Sequence, residues 1–460
     1  MFIRSRREFM RNVVTSVSAA GALGSLAKFG EMNALAAGSV SPGYKALVCI
    51  FLAGGNDGHN SVIPITTTQQ NYSLYQQGRG GLALAQNSLV PIANGSDVYG
   101  LHPRLVEIGN LYNAANAPVA IVPNVGMLVQ PKDRNSYATA GSALVPNALF
   151  SHSDQTSQWQ SAVPTGLGSS GWGGRIVDQP AIQSLNASAA FPPATSTSGS
   201  SLFCTGQTSF PATVPPGGTP ILSASPSAKG GLQQVVTFDN GLQMVQAANA
   251  NTSRGVNYAN LLSSALNGVT INTPFPAGPD GSVNGLAQQL KTVASMIKVQ
   301  SQLGIGRQIF FCTLGGFDTH GSQLSIQDFL LQELSQAVAA FYQAVSVELG
   351  AGSQVTTFTT SEFGRTLTPN SNGGTDHAWG NHHFVIGDAV KGGQFYGNFP
   401  SLALGSLNDT NQRGTLIPTT AVDQYAATLA QWFGVPAGAA VTSIFQNLTH
   451  FPTSNLGFLG

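Results

Sequence analysis

The 460-residue sequence predicts an α/β fold with a mostly parallel central sheet, helices on both faces and a loop-rich insertion. A continuous apolar run of strand length occurs at residues 45–53, as expected of a central strand that is buried on both faces, and the runs at 308–314 and 354–360 also predict strands. Segments with helical spacing lie between such runs, and this order favours parallel strands joined by right-handed crossovers. Serine, threonine, proline and glycine are concentrated at residues 180–232, where we expect the insertion as irregular structure or short strands.

Residues 1–36 are predicted to be a twin-arginine signal peptide, so they are excluded from the fold. The letters S-R-R-E-F-M-R at residues 5–11 match the export signal, and a weakly apolar stretch follows them. Ala34-Leu35-Ala36 predicts cleavage after Ala36. The alternative is an N-terminal amphipathic helix with two arginines. We therefore expect the twin-arginine machinery as a partner, a periplasmic or secreted location, and residues 37–460 as one domain.

Composition excludes some classes of function. The chain carries 19 basic and 19 acidic residues, so it lacks the positive field with which nucleic-acid binders attract a polyanion. No apolar run after the signal is long enough to span a bilayer, so we expect no stable membrane span after cleavage. Three cysteines cannot form a disulfide framework, and Cys49 and Cys312 are interpreted as small buried hydrophobes.

The remaining elements follow from local pattern. Apolar residues at helical spacing predict helices over 104–115, 240–266, 283–303, 323–349 and 425–433, the second of them with interruptions. Short apolar runs predict strands over 119–122 and 383–386. Periodicity is poor over 124–178, so we expect a long loop region above the functional site.

Polar clusters follow three of the predicted strands. They read G-G-N-D-G-H-N at residues 54–60, G-G-F-D-T-H at 315–320, and a longer stretch from Ser361 to His383. Because ligands bind at the carboxyl ends of strands in open α/β sheets, the clusters are expected to converge on one site. Taken singly, Asp57 and Asp318 could be turn or N-cap residues, and Glu362 could pair with Arg365. His382 or His383 could be a hydrogen-bonded histidine of the core.

Together the clusters supply carboxylate oxygens and imidazoles, which suit a divalent metal such as zinc or manganese. Two such ions could activate a nucleophile and hold a leaving oxygen. The candidate ligands are Asp57, Asp318, His320, Glu362, Asp376, His377, and His382 or His383.

The three clusters, with V-K-G-G-Q-F-Y-G at residues 390–397, resemble the twin-arginine-exported family known as domain of unknown function 1501 (DUF1501). That family looks like a branch of the alkaline phosphatase/sulfatase superfamily, so the resemblance implies an α/β sandwich with metal ligands at strand ends. By this resemblance Asp57 would match the aspartate after the first strand. Asp318 and His320 would match an aspartate–histidine pair, and Asp376 and His377 an adjacent pair. Glu362 is an additional candidate, with Arg365 orienting it or an anionic substrate.

The chain departs from the superfamily pattern in two places. One residue separates Asp318 from His320, where the superfamily commonly has three. The superfamily also needs a nucleophile, for which we predict Ser151 in L-F-S-H-S-D, with Ser61 as the alternative.

The resemblance favours an exported metal-dependent hydrolase of phosphate or sulfate esters, in which Arg365 or Arg175 stabilises developing negative charge. Its substrate would be a small-molecule or glycan ester. The alternative is a non-catalytic binding or assembly protein on the same fold, whose polar cleft recognises a glycan or a partner.

Overall fold

The computed structural model describes residues 40–139, 141, 144–217, 225–239 and 241–460. The signal peptide expected at residues 1–36, with its cleavage site, lies outside this part of the chain. The strands are β1 (Lys45–Leu52), β2 (Val62–Thr66), β3 (Val90–Asn94), β4 (Asp97–Leu101), β5 (Val119–Gly126), β6 (Ala194–Ser196), β7 (Ala212–Thr213), β8 (Arg307–Leu314), β9 (Val355–Thr360), β10 (Asn381–Ile386) and β11 (Thr420–Ala421).

The described helices are α1 (Gly58–Ser61), α2 (Tyr72–Arg79), α3 (Val106–Tyr112), α4 (Arg134–Ala138), α5 (His152–Ser161), α6 (Trp172–Val177), α7 (Pro180–Leu185), α8 (Pro226–Val236), α9 (Gln243–Leu266), α10 (Gly285–Lys298), α11 (Gln323–Gln343), α12 (Val422–Phe433) and α13 (Ala439–Ile444). A π-helical segment, Ala344–Glu348, continues α11. None of the helices in the described ranges combines the length and the apolar character needed to cross a bilayer.

The central sheet has eight strands in the order β11-β5-β10-β9-β1-β8-β6-β7. Strand β1 lies near the middle and pairs in parallel with both β8 and β9. Strand β10 is antiparallel to both of its neighbours, β9 and β5, so β5 runs in the same direction as β9. The predicted α/β class and the mostly parallel sheet are therefore confirmed. The three remaining strands form a separate antiparallel sheet in the order β2-β4-β3.

The reversed direction of β10 has a local cause. Between β9 and β10 the chain folds back on itself, since Gly364 N–H donates to the carbonyl of Trp379 at 2.9 Å and Ala378 N–H donates to Gly364 at 2.9 Å. No helix crosses the sheet here, so β10 enters from the edge at which β9 ends. This return keeps the polar segment between Ser361 and His383 at that edge.

Alternating side chains of β1 enter two different cores, because successive side chains of a strand point to opposite faces. Ala46, Val48, Ile50 and Leu52 join a cluster with residues of α3, α10 and α11. Leu47, Cys49 and Phe51 join a second cluster with residues of α6, α12 and α13. Helices therefore cover both faces of the sheet, as expected. All three cysteines are free and buried.

Two regions differ from the sequence expectation. The predicted loop over 124–178 contains helices α4, α5 and α6. The pattern missed α5 because it reads H-S-D-Q-T-S-Q-W-Q-S and buries Gln155 and Gln158 beside Trp159. Helix α9 is continuous, although interruptions were expected. Within the Ser/Thr/Pro/Gly-rich segment, β6 and β7 extend the main sheet in parallel beside β8.

Candidate functional site

The carboxyl ends of β1, β8 and β9 meet at one edge of the sheet, where β10 begins. The segments that follow these ends bring together six of the predicted site residues. They are Asp318, His320, Glu362, Arg365, Asp376 and His377, which contact one another directly or through one shared partner. The predicted convergence is therefore observed for the side chains of the segments after β8 and β9, whereas Asp57, in the segment after β1, pairs with Arg79 instead.

Helix α5 adds a residue that the sequence reasoning did not assign to the site. His152 is the first residue of this helix, and its Nε2 lies 3.1 Å from Nε2 of His377. The ring of Phe363 packs against both imidazoles, with centroid distances of 4.9 Å to His152 and 4.6 Å to His377. The sequence contained one signal for it, the spacing S-x-x-D from Ser151 to Asp154, which is typical of a helix start.

Four side-chain atoms converge at the centre of the site. Nε2 of His377 lies 2.9 Å from Nε2 of His320. Oδ1 of Asp318 lies 3.5 Å from Nε2 of His152, 3.1 Å from that of His320 and 3.3 Å from that of His377. The ligand atoms of His152, Asp318 and His377 all lie within 4.8 Å of one another.

The opposite nitrogen of each imidazole faces an acceptor oxygen. Nδ1 of His152 lies 3.0 Å from Oε1 of Glu362, and Nδ1 of His377 lies 2.7 Å from the carbonyl oxygen of Phe150. Nδ1 of His320 lies 3.5 Å from Oδ1 of Asp376. We therefore assign the proton of each ring to Nδ1, which leaves a lone pair on each Nε2. Burial lowers the pKa of His377 below its usual value, which also favours the neutral ring.

This arrangement fits a cation. Three nitrogen lone pairs and a carboxylate oxygen repel one another at these distances unless a positive charge lies between them. Ligand atoms bound at about 2.0–2.1 Å in a tetrahedral zinc site are roughly 3.3 Å apart, close to the separations seen here. Glu362 Oε2 is buried and has no hydrogen-bond partner among the described residues, so an acceptor beside His152 is left unsatisfied by the protein.

Arg365 holds Asp318 in place. Its guanidinium donates from Nε to Gly55 at 2.9 Å, from Nη1 to Thr375 at 3.0 Å, and from Nη2 to Gly54 and Asp318. Partial burial raises the pKa of Asp318, but the hydrogen bond and charge of Arg365 outweigh burial and hold that pKa below its usual value. Because Arg365 is buried and most of its donors are occupied, the geometry gives it a positioning role instead of direct contact with substrate.

Asp376 lies toward the rim. Its Oδ2 accepts a hydrogen bond from Nη2 of Arg413 at 2.6 Å, and both side chains are partly exposed. The charge of Arg413 outweighs partial burial and lowers the pKa of Asp376. Asp376 thus faces Nδ1 of His320 instead of the group of Nε2 atoms, as Glu362 faces Nδ1 of His152.

The structure does not bring Asp57 into this group. Its carboxylate caps α1 by accepting from His59 N–H at 3.0 Å, pairs with buried Arg79, and accepts from Gln323. Only 1% of Asp57 is exposed. The structure therefore gives Asp57 the N-cap and ion-pair role that a strand-end aspartate can also have, and not the predicted role of a metal ligand.

His382 also lies apart from the group. Its ring stacks on Phe399 with centroids 4.8 Å apart, and its Nδ1 accepts from Asn124 N–H at 3.0 Å. His383 is buried as well and stacks on Tyr425. The third histidine expected at the site is supplied by His152, and neither of the two neighbouring candidates reaches it.

The candidate nucleophiles are hydrogen bonded. Ser151 is the N-cap residue of α5, and its Oγ donates to Oδ2 of Asp154 at 2.6 Å. Ser61 is fully buried and donates to the carbonyl of Asp57 at 2.8 Å. Arg175, expected to face developing charge, instead donates to the carbonyls of Ser161, Ser170 and Ile444.

No curated protein sequence matches this chain. The solved structure of the lipoteichoic acid synthase LtaP from Listeria monocytogenes matches with 7% sequence identity and a TM-score of 0.31, covering 85% of this chain and 80% of that one. Residues 279–435 match the family described as protein of unknown function (DUF1501), and this range contains Asp318 to His377 of the site. The resemblance of this chain to the DUF1501 family, expected from its motifs, is thereby confirmed.

Proposed function

We propose that this protein is an exported, metal-dependent hydrolase of the alkaline-phosphatase-like class that acts on phosphate or sulfate esters. One observation carries the proposal: three imidazole Nε2 atoms and Asp318 Oδ1 converge, and each imidazole has its Nδ1 on an acceptor. Metal-binding histidines almost always place the second ring nitrogen on such an acceptor, which fixes the tautomer and the ring orientation.

The ligands in this proposal are His152, His320, His377 and Asp318. Three imidazoles and one carboxylate suit zinc, whereas manganese generally prefers more oxygen ligands. A bound divalent ion would act as a Lewis acid that polarises an ester oxygen and stabilises negative charge in the transition state.

Charge explains why an anionic ester would need the ion. With neutral histidines, the carboxylates of Asp318, Glu362 and Asp376 outnumber the guanidinium groups of Arg365 and Arg413. The group then carries a net negative charge and would repel a phosphate or sulfate, whereas a divalent ion reverses the sign. Asp318 and His320 are nearly half exposed, so a substrate could reach this face.

Ser151 stays the proposed nucleophile. It directly precedes His152, and the carboxylate of Asp154 that accepts its hydroxyl hydrogen bond can take up that proton as the oxygen attacks phosphorus or sulfur. The bond from phosphorus or sulfur to the ester's alcohol oxygen breaks, the alcohol leaves with a proton, and water then hydrolyses the seryl ester to release phosphate or sulfate and free Ser151. Attack by water is the alternative route. Ser151→Ala distinguishes them, because the variant loses turnover in the first case and keeps it in the second.

Metal content and ester hydrolysis test the proposal together. Natively purified protein is expected to contain stoichiometric divalent metal by mass spectrometry and to hydrolyse at least one of p-nitrophenyl phosphate, bis(p-nitrophenyl) phosphate and p-nitrophenyl sulfate. His377→Ala and Asp318→Asn should lose metal. His450→Ala should keep it, because His450 is an exposed histidine that is bonded to the carbonyl of Val129. Wild-type protein without stoichiometric metal would overturn the proposal.

The second candidate is a non-catalytic binding or assembly protein on the same fold. The observations that favour it are the buried Arg365, whose donors are taken up by the protein, and the engaged hydroxyls of Ser151 and Ser61. This function predicts stoichiometric metal, no turnover of any ester in the panel, and a Ser151→Ala variant indistinguishable from wild type.

A further inference from the structure

A second concave region lies away from the candidate metal site. It has a volume of about 570 Å³ and lies between the segments that precede β6 and β7 and one side of α9. The candidate metal site is at the carboxyl ends of the parallel strands, whereas Pro193 and Pro211 in this cleft immediately precede the amino ends of β6 and β7. The cleft is therefore at the opposite edge of the sheet, and its role is independent of the proposed hydrolase.

The walls of this cleft are held in place before any ligand binds. Asp178 accepts hydrogen bonds from Thr208 N–H at 3.2 Å, Thr208 Oγ at 2.8 Å and Ser209 N–H at 2.9 Å, which fixes the loop leading to Phe210. The buried ring of Phe191 forms the floor and packs edge-on against Tyr258 of α9 at 5.7 Å. A preformed wall reduces the entropy cost of binding.

An aromatic ring stands exposed at the mouth of the cleft. Phe210 is 66% exposed, although a ring of this size is usually packed against other groups. The guanidinium of Arg254 lies over one face of the ring at 5.6 Å from its centroid, and the high exposure leaves the rest of the ring available. The cleft thus offers a flat apolar surface that no part of the described chain covers fully.

Polar groups also line the cleft, and only one of them is charged. Gln183, Asn251 and Thr208 present exposed amide and hydroxyl groups, and Arg254 is the single charged side chain among the lining residues. A ligand that matches this set has apolar faces for the ring, many hydroxyl groups for the amides, and little or no net charge. Carbohydrates combine these properties, and the cleft volume lies within the range of small-ligand sites. We propose that the cleft binds a short oligosaccharide, with one sugar ring stacked on Phe210.

Gly255 allows the cleft to be closed without damaging the fold. It lines the cleft on helix α9, and a Cβ built on it meets no atom within 4 Å. Leucine at this position would enter the open space, and leucine favours a helix more than glycine does. Gly255→Leu is therefore expected to fold normally and to exclude a ligand.

The test measures the binding of defined oligosaccharides to the purified full chain by saturation-transfer NMR and calorimetry. The probes are tetramers of N-acetylglucosamine, of β-1,4-linked glucose and of galacturonic acid; stronger binding of the acidic tetramer would assign a contact to Arg254. At least one tetramer is expected to bind saturably. Phe210→Ala should weaken that binding by about fivefold to tenfold, the scale of a lost aromatic contact, and Gly255→Leu should abolish it.

Phe238→Ala is the matched control, because Phe238 is 60% exposed but does not line the cleft. It should bind as wild type does, and all variants should keep the wild-type circular dichroism spectrum and thermal midpoint. The proposal is overturned if none of the three tetramers binds saturably, or if binding survives unchanged in Gly255→Leu.

Discussion

Glu362 and His152, which are 210 residues apart in sequence, meet at 3.0 Å between Oε1 and Nδ1. The same carboxylate oxygen also accepts the N–H of Gly54 at 2.6 Å. One side chain thereby connects the ends of β1 and β9 to the start of α5. It also orients the imidazole whose Nε2 points at Asp318 and His377.

This contact predicts that Glu362 tunes metal affinity without being a ligand. In Glu362→Gln the amide oxygen can still accept the His152 proton, but the loss of charge makes the imidazole a weaker ligand. We expect the affinity for zinc to fall about tenfold in Glu362→Gln and up to about a hundredfold in Glu362→Ala, as for other partners of metal-bound histidines. Competition with a chromophoric chelator measures this.

Glu107→Gln is the control for that experiment, because Glu107 is half-buried and accepts a hydrogen bond from Ser335 instead of from a site residue. It should retain the wild-type zinc affinity. An unchanged affinity in Glu362→Ala would mean that the contact has no role in metal binding.

Asp57 is expected to stabilise the fold and not to bind the metal. Removing this carboxylate leaves the buried guanidinium of Arg79 without its ion-pair partner. Breaking one half of a buried ion pair costs about 3–5 kcal/mol. Asp57→Ala should therefore lower the free energy of unfolding in urea by that amount, while the folded fraction keeps its full metal content. Loss of metal from protein that remains folded would instead make Asp57 a ligand.

Gly54 is predicted to be required for the position of Asp318. Its φ is +114°, and a Cβ there would collide with the backbone nitrogen of Asp318 and come within 2.8 Å of that of Phe317. Gly43 has φ +82° and open space around it, so Gly43→Ala reports the backbone strain alone. That strain costs about 1 kcal/mol. Gly54→Ala should cost more stability than Gly43→Ala and should also weaken metal binding. Equal effects on stability and metal affinity in the two variants would contradict this.

The burial of Asp423 is expected to make the free energy of unfolding depend on pH. Burial raises its pKa to about 7, whereas the unfolded chain ionises near pH 3.9. Between these values the unfolded chain has released the proton that the folded protein keeps, so the contribution of Asp423 to the free energy of unfolding falls as pH rises from about 4 to 7 and then levels off.

Asp423→Asn removes this titration, so the variant should gain on the order of 3 kcal/mol over wild type between pH 4 and pH 8. Urea denaturation at both pH values measures the difference. A parallel profile for Asp423→Asn and wild type would show that Asp423 does not titrate in this range.

The sequence by itself determined the fold class and the edge of the sheet that carries the polar residues. Strand β1 is recognisable because a strand buried on both faces is usually apolar along its length, as residues 46–52 are. Strand β8 is mostly apolar, and β9, V-T-T-F-T-T, is rich in β-branched residues that favour strands. Since parallel strands end at a common edge, the proximity of Asp318, Glu362 and His377 followed from local pattern alone.

Only the tertiary structure decided which atoms face one another. Asp57 and Asp318 both follow a buried strand and a pair of glycines. Yet the carboxylate of Asp57 pairs with Arg79 from α2, whereas three imidazoles surround the carboxylate of Asp318. His152 comes from a polar helix whose pattern resembles a loop, so its contribution to the site was not visible in sequence. Carboxylate and imidazole groups can cap a helix, pair with arginine or bind a metal, and the choice depends on partners that are distant in the chain.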